Sequence, residues 1–293
     1  MPMRAEAVSD PVTHHGEGPV WNPATGRLHF VDMLAGDVLT LAADGGITRT
    51  RVGSVAAVVR PNRSGGLVLA IDRGFAVLPE GADEPSRLPE LWSDPGVRMN
   101  EGGCDPQGRF YAGSMAFDAT PERGTLWRLD PDGGTHRVLT PVTISNGLVW
   151  SPDGQLVYYV DTPTGRVDVF DFDAARGEFL NRRPLVEIPE EHGSPDGMAI
   201  DAHGRLWVAM WGGSAVRCYS PEGELEAVVE VPVRQVTACA FGGPDLDQLY
   251  VTTSRDGLAD PEPAAGALHL ADTGVRGLPV HSFAGLDEGV LPG

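Results

Sequence analysis

The sequence predicts an all-β fold: a six-bladed β-propeller with four-stranded blades around a central channel. Three observations lead there. A turn-and-strand motif recurs six times, its apolar residues alternate at period two, and the 38 Gly and 25 Pro are spread along all 293 residues. Spread Gly and Pro punctuate many short elements, as an all-β chain rich in turns requires.

The repeats run in order from the N-terminus. The first is Asn22-Pro-Ala-Thr-Gly-Arg-Leu-His-Phe-Val and the second Arg63-Ser-Gly-Gly-Leu-Val-Leu-Ala. Asp105-Pro-Gln-Gly-Arg-Phe-Tyr-Ala, Ser151-Pro-Asp-Gly-Gln-Leu-Val-Tyr and Asp201-Ala-His-Gly-Arg-Leu-Trp-Val follow, then a degenerate Asp245-Leu-Asp-Gln-Leu-Tyr-Val. Their first apolar residues, Leu28, Leu67, Phe110, Leu156, Leu206 and Leu249, are separated by 39, 43, 46, 50 and 43 residues. That period suits one four-stranded propeller blade. Helical solenoids share the period, but these segments alternate at period two and carry Val, Tyr, Phe and Trp. No amphipathic helix longer than three turns is evident; Leu88 to Trp92 allows a short helical turn at most. Trp21, Trp127, Trp150 and Trp207 recur near strand segments and are read as packing between blades. No Ser/Gly linker or charge block divides the chain, so residues 1–293 are assigned to a single propeller domain. A ring left open exposes unpaired strand edges. The stretch Ala5-Glu-Ala-Val-Ser has no blade of its own and is expected to supply the outer strand of the last one.

Composition narrows the function. A formal net charge of −19 lacks the basic patch that phosphate backbones require, so nucleic acid is not an expected partner. No apolar run reaches the length of a membrane span, and the N-terminus does not resemble a signal peptide. Three scattered cysteines, Cys104, Cys218 and Cys239, do not make a disulfide framework, which suits a reducing, cytoplasmic setting.

In a propeller the innermost strand of each blade lines the channel. Ten residues before each apolar anchor, eleven in the first blade, stand Glu17, Ala57, Asn100, Asn146, Asp196 and Cys239. Four of these six equivalent positions are Glu, Asn or Asp. Glu17, Asn146 and Asp196 are each followed by Gly and then an apolar strand; Gly relieves crowding where chains converge and permits unusual φ. Singly, such residues are ordinary turn formers. In matched register they converge on one axis, where buried polar groups need partners. A divalent cation is the natural common partner. Oxygen donors without thiolate suit Ca²⁺, Mg²⁺ or Mn²⁺, and carboxylates also hold Zn²⁺ or Fe²⁺.

In the third blade Arg98 lies two residues before Asn100, so alternation puts both on one face, and its planar fork suits ligand oxygens. Glu101 falls on the opposite face, where it is either paired with Arg98 or solvated. His14 and His15 lack a helical His-Glu-x-x-His context; one is expected at the channel mouth and the other in solvent. Ser114, Ser145 and Ser194 lack a Gly-x-Ser-x-Gly elbow. Cys239 has no evident base and reads as small and buried.

These motifs resemble the senescence marker protein, gluconolactonase and luciferin-regenerating enzyme family, which includes regucalcin. The specific marks are Arg98-Met-Asn-Glu-Gly-Gly-Cys-Asp-Pro-Gln-Gly-Arg, Ile144-Ser-Asn-Gly-Leu-Val-Trp-Ser, Pro195-Asp-Gly-Met-Ala-Ile-Asp and Cys239-Ala-Phe-Gly-Gly. The resemblance spans nearly the whole chain, from Gly16-Glu-Gly-Pro-Val-Trp to Tyr250-Val-Thr-Thr-Ser-Arg-Asp-Gly. It implies a six-bladed propeller with one metal in the channel. It further implies Glu17, Asn146 and Asp196 as metal ligands, Arg98 and Asn100 as substrate-binding residues, and Asp118 where regucalcin-like members place a substrate-contacting Glu. Two departures stand near the expected channel mouth: Glu101 replaces the usual Asp, and the loop from Asp118 to Gly124 is shorter than in animal members.

The expected function is therefore a metal-dependent lactonase, gluconolactonase-like, that hydrolyses aldono-1,4- or 1,5-lactones. Ca²⁺ or Zn²⁺ is expected first, and Asp196 serves as general base. An esterase or organophosphate hydrolase using the same metal is one alternative, and a non-catalytic metal-binding propeller another. The expected partner is a small sugar lactone, acted on by a monomer or weak homo-oligomer.

Overall fold

The structure, a computed structural model, describes residues 3–286. It is a six-bladed β-propeller built from six sheets of consecutive antiparallel strands. The innermost strands are Gly16–Asn22, Ala56–Pro61, Val97–Cys104, Ser145–Trp150, Ser194–Ile200 and Val236–Gly242. Blade 4 shows the pattern in full, with Ser145–Trp150, Leu156–Asp161, Arg166–Asp173 and Glu178–Glu187 in spatial as well as chain order. Each repeat motif is the turn between a blade's first two strands, and each apolar anchor opens or nearly opens the second strand.

The Asp-x-x-Gly-Arg motifs work by local hydrogen bonding. Asp201 Oδ1 accepts from the backbone N–H of His203 and Arg205, while Oδ2 accepts from Arg205 Nε at 2.7 Å and Trp207 Nε1 at 3.0 Å. One carboxylate thus closes the turn and pins the next strand's aromatic residue. Asp105 repeats this with the Arg109 backbone, the Arg109 side chain and the Tyr111 hydroxyl. Both aspartates are fully buried, a tolerable state because their oxygens are hydrogen-bonded.

Between the blades lie apolar layers. Trp207 and Phe241 meet edge to face between blades 5 and 6, as do Phe75 and Phe110 between blades 2 and 3. Trp127, Trp150 and Trp207 are buried as expected, while Trp21 is only partly covered. The segment Leu88–Trp92 forms no helical turn. It is irregular with a bend at Leu91, and Trp92 stacks on Trp127 at 6.1 Å.

The N-terminal segment joins two blades. Met3–Arg4 runs parallel to Leu225–Glu230 in blade 5, and Glu6–Ala7 pairs antiparallel with His269–Asp272 as the outer strand of blade 6. Ala5 between them is buried. Deleting the chain through Val8 bares an edge on two blades at once. We expect the melting temperature to drop by roughly 5 °C or more in a thermal unfolding scan, since each lost kcal/mol shifts a domain of this size by a few degrees; an unchanged midpoint overturns that role.

Candidate functional site

All six inner strands carry a break in pairing register: Glu17/Val20, Ala56/Val58, Met99/Gly102, Ser145/Leu148, Pro195/Met198 and Val236/Ala238. Such bulges re-aim side chains at the rims of closed sheets. Here they sit where the polar residues occur. In blades 2 to 5 the residue just after the shift begins is Ala57, Asn100, Asn146 and Asp196, as counted from the turns. In blade 6 it is Thr237. Cys239, expected there by counting, lies two residues further along the channel and donates its thiol to Trp207 O at 3.2 Å. The ten-residue count fails because one more residue separates the bulge from the strand end at Gly242, and because Leu249 is the second residue of its strand rather than the first.

The loops entering the inner strands are held by carboxylates. Asp161 accepts from the backbone N–H of Thr143 and Ile144, and Asp32 from those of His14 and His15. The strand beginnings that present Asn146 and Glu17 are fixed in this way.

Glu17, Arg98, Asn100, Asn146 and Asp196 are all buried, each 8 % exposed or less. A chain of hydrogen bonds crosses three blades. Arg98 Nη1 donates to Asn100 Oδ1 at 2.6 Å; Asn100 Nδ2 donates to Asn146 Oδ1 at 2.7 Å and to Ser145 O at 2.8 Å. Asn146 Nδ2 donates to Thr162 Oγ1 at 2.7 Å, and Thr162 donates to Pro195 O beside Asp196 at 2.8 Å. This chain fixes the amide orientation of Asn146, whose oxygen accepts one hydrogen bond and keeps a lone pair to spare. Thr162 could not be found from the repeat, because it lies in the loop after a second strand rather than on an inner one.

Glu101 is neither paired with Arg98 nor solvated. The bulge at Met99/Gly102 breaks the alternation that would have turned it outward, and it is 4 % exposed with Oε2 unpartnered. Among the described residues Asp196 Oδ1 likewise has no partner, and Glu17 Oε2 accepts from the backbone N–H of its neighbour Gly18. Burial pushes Glu17 up to about 7 and Glu101 up to about 8, and holds Asp196 well above the usual carboxylate range, with Glu17 and Glu101 adding to the last. Arg98, buried with them, is lowered to about 10 by desolvation. Among the described residues no three His, Cys, Asp or Glu side chains form a metal-binding group by themselves. A cation here needs the amide oxygen of Asn146 as a donor. The donor set fits a hard divalent ion on two observations: an orphaned carboxylate oxygen on Asp196 and an oriented amide oxygen on Asn146.

His15 is buried and its Nδ1 meets Ser254 Oγ at 2.7 Å, whereas His14 is half exposed and pairs with Asp256 at 3.0 Å. Asp118 is not drawn into the buried network. It is exposed, and its carboxylate binds the N–H and hydroxyl of Thr120. The adjoining Phe117, 54 % exposed, lies 5.6 Å from the Arg98 guanidinium, so this loop borders the mouth where Arg98 ends.

Gly147 and Gly197, next to Asn146 and Asp196, sit where blades converge. A Cβ on Gly147 would lie 2.8 Å from Asp196 O, and one on Gly197 2.5 Å from Ala238 Cβ and 2.9 Å from its Cα. Gly18 instead takes φ +52°, the left-handed region glycine favours. We expect Gly197→Ala to cost about 1–3 kcal/mol by overpacking, read in denaturant unfolding; a loss below ~0.5 kcal/mol means that the blades yield freely.

Residues 15–255 match the family described as SMP-30/Gluconolactonase/LRE-like region. The chain is 37% identical over 301 residues to regucalcin of Oryctolagus cuniculus, spanning 97% of this chain and 99% of that one. Among solved structures, a calcium-binding protein, regucalcin, from Agrobacterium tumefaciens aligns with a TM-score of 0.88 at 28% identity, covering 98% of both chains. A luciferin-regenerating enzyme aligns at 0.84 and 31% identity, covering 97% of this chain and 99% of that one.

Proposed function

This chain belongs to the SMP-30/gluconolactonase/LRE-like family, and we propose from that premise that it is a metal-dependent lactonase. Its substrates are aldono-1,4- or 1,5-lactones, hydrolysed to the aldonic acid. The observation that carries this reading is the buried Arg98–Asn100–Asn146 hydrogen-bonded chain beside the unpartnered oxygen of Asp196.

Glu17, Asn146 and Asp196 would hold one divalent ion, Ca²⁺ or Zn²⁺ in the first instance. When bound, such an ion supplies Lewis-acid polarisation of the lactone carbonyl. Arg98 and Asn100 bind and orient the sugar. The remaining guanidinium N–H groups face ring and hydroxyl oxygens, and Phe117 and Met33 restrict the guanidinium to one position. Asp118 meets the sugar from the exposed loop. Asp196 takes a proton from the attacking water at a carboxylate oxygen. The new C–O bond forms at the carbonyl carbon, the ring C–O bond breaks, and the proton passes to the departing ring oxygen. The acid product then ionises, so each turnover releases one proton to solvent.

Gluconolactone, galactonolactone and xylonolactone, followed by proton release with and without a chelator, test the reading. Hydrolysis of at least one lactone that stops on chelation and returns with metal is expected. Equal rates in both arms would sink the metal-dependent mechanism. For the wider activity, faster turnover of phosphotriesters than of every lactone overturns the substrate assignment.

A further inference from the structure

The channel has a second end. There a cavity of about 330 Å³ is lined by residues lying further along the inner strands, including Trp150, Met198 and Phe241. At roughly 3.3 Å per residue, Trp150 lies four residues beyond Asn146. None of Glu17, Arg98, Asn146 or Asp196 lines it. Residues 278–281 form its roof. Leu278 N–H bonds to Ile200 O at the end of one inner strand, and Phe283 N–H to Pro61 O at the end of another. The chain thus crosses the mouth of the channel from blade 5 to blade 2.

Among the described residues this mostly apolar space is faced by His281, by the thiols Cys104 and Cys239, and by two side chains of opposite charge type, Arg60 and Glu101. Glu101 is 4 % exposed and its Oε2 has no partner. Arg60 donates to Val59 O at 2.7 Å and Gly102 O at 2.5 Å, which leaves N–H donors of its five unused. Each side chain feels the other's charge, but no hydrogen bond joins them. An unmatched carboxyl oxygen and spare guanidinium donors, set apart in one apolar cavity, are a pattern that a ligand carrying both charges completes, since an incoming ammonium favours the ionised form of Glu101.

We propose that this cavity is a second binding site, for a small zwitterion with an apolar body. Its carboxylate meets the Arg60 guanidinium, its ammonium donates to Glu101 Oε2, and its body packs on Trp150, Met198 and Phe241. The zwitterion of an apolar α-amino acid has this pattern. A neutral, polyhydroxylated sugar lactone does not, so this site is distinct in chemistry as well as place from the metal end.

Calorimetric titration of the full-length, metal-loaded protein with L-leucine and L-phenylalanine tests it. Two single-headed analogues of leucine, 4-methylpentanoate and 3-methylbutylamine, serve as controls. Saturable one-site binding of at least one amino acid with a Kd below about 1 mM is expected, with each single-headed analogue at least roughly tenfold weaker. Glu101→Gln should weaken the amino acid about tenfold while leaving 4-methylpentanoate unchanged. Val280→Trp, on the crossing segment, fills the cavity from its roof and should abolish binding in a protein that still folds by circular dichroism. Saturating aldonate at the metal end should leave the amino-acid affinity unchanged. Absence of saturable binding overturns the site. Equal affinity of a single-headed analogue overturns the ligand class, and indifference to both substitutions or competition by aldonate overturns the location. None of these readouts depends on whether the metal end hydrolyses lactones.

Discussion

Asp196→Ala is expected to lower aldonolactone hydrolysis by about 10³-fold while the protein stays folded. The loss corresponds to the several kcal/mol that metal charge stabilisation contributes, at tenfold per ~1.4 kcal/mol. The fold should survive because Asp196 stabilises nothing within the protein through its unpartnered oxygen. Oδ1 is buried without a hydrogen bond, and Glu17 and Glu101 oppose its charge. A structural carboxylate such as Asp201, which closes a turn with four hydrogen bonds, is a suitable contrast. Asp201→Ala should destabilise strongly through its orphaned donors. Asp196→Asn should leave unfolding without metal within ~1 kcal/mol of the parent, since it removes like-charge repulsion and keeps the shape. Specific activity near the parent's in Asp196→Ala removes this residue from the chemistry. A collapse of the fold in both variants makes it structural instead.

Addition of the correct divalent ion is the second large effect. An ion that binds only the native state stabilises by about 2.7 kcal/mol at one hundred times its Kd. For a chain of this length that is a rise in melting temperature on the order of 5 °C. Buried Glu17 and Asp196 have few compensating partners, so a cation relieves a cost already present in the fold. Scanning Ca²⁺, Zn²⁺, Mg²⁺, Mn²⁺ and Fe²⁺ should identify the ion that gives the largest shift, and that ion should restore activity after chelation. Asn146→Leu should lose the shift, because it removes the one amide oxygen that the Asn100 and Thr162 hydrogen bonds hold in place. A panel in which no ion moves the midpoint excludes a native-state metal site.

The ring of blades was legible from the sequence because a blade is a local unit. Its turn, its period-two strands and its Asp-x-x-Gly-Arg clamp all lie within a few tens of residues. Positions along the inner strands were legible in blades 2 to 5 for the same reason, since the distance from turn to channel is nearly constant. The count slipped in blade 6, where Thr237 stands in place of Cys239. Glu101 was misplaced for a different reason: alternation assumes a regular strand, and a bulge at Met99/Gly102 leaves no mark that composition would betray.

The sequence by itself determined the all-β repeat, the number of blades and the side chains brought to each inner strand, because these depend on short-range periodicity and turn chemistry. Only the tertiary structure decided how those side chains meet. The Arg98–Asn100–Asn146–Thr162 chain, the isolation of Asp196 Oδ1, the burial of Glu101 and the second cavity beneath Leu278 join residues from different blades. Their desolvation, and the links between blades such as Asn100 to Asn146 and Thr162 to Pro195, arise when the ring closes, and no single blade contains both partners of those links.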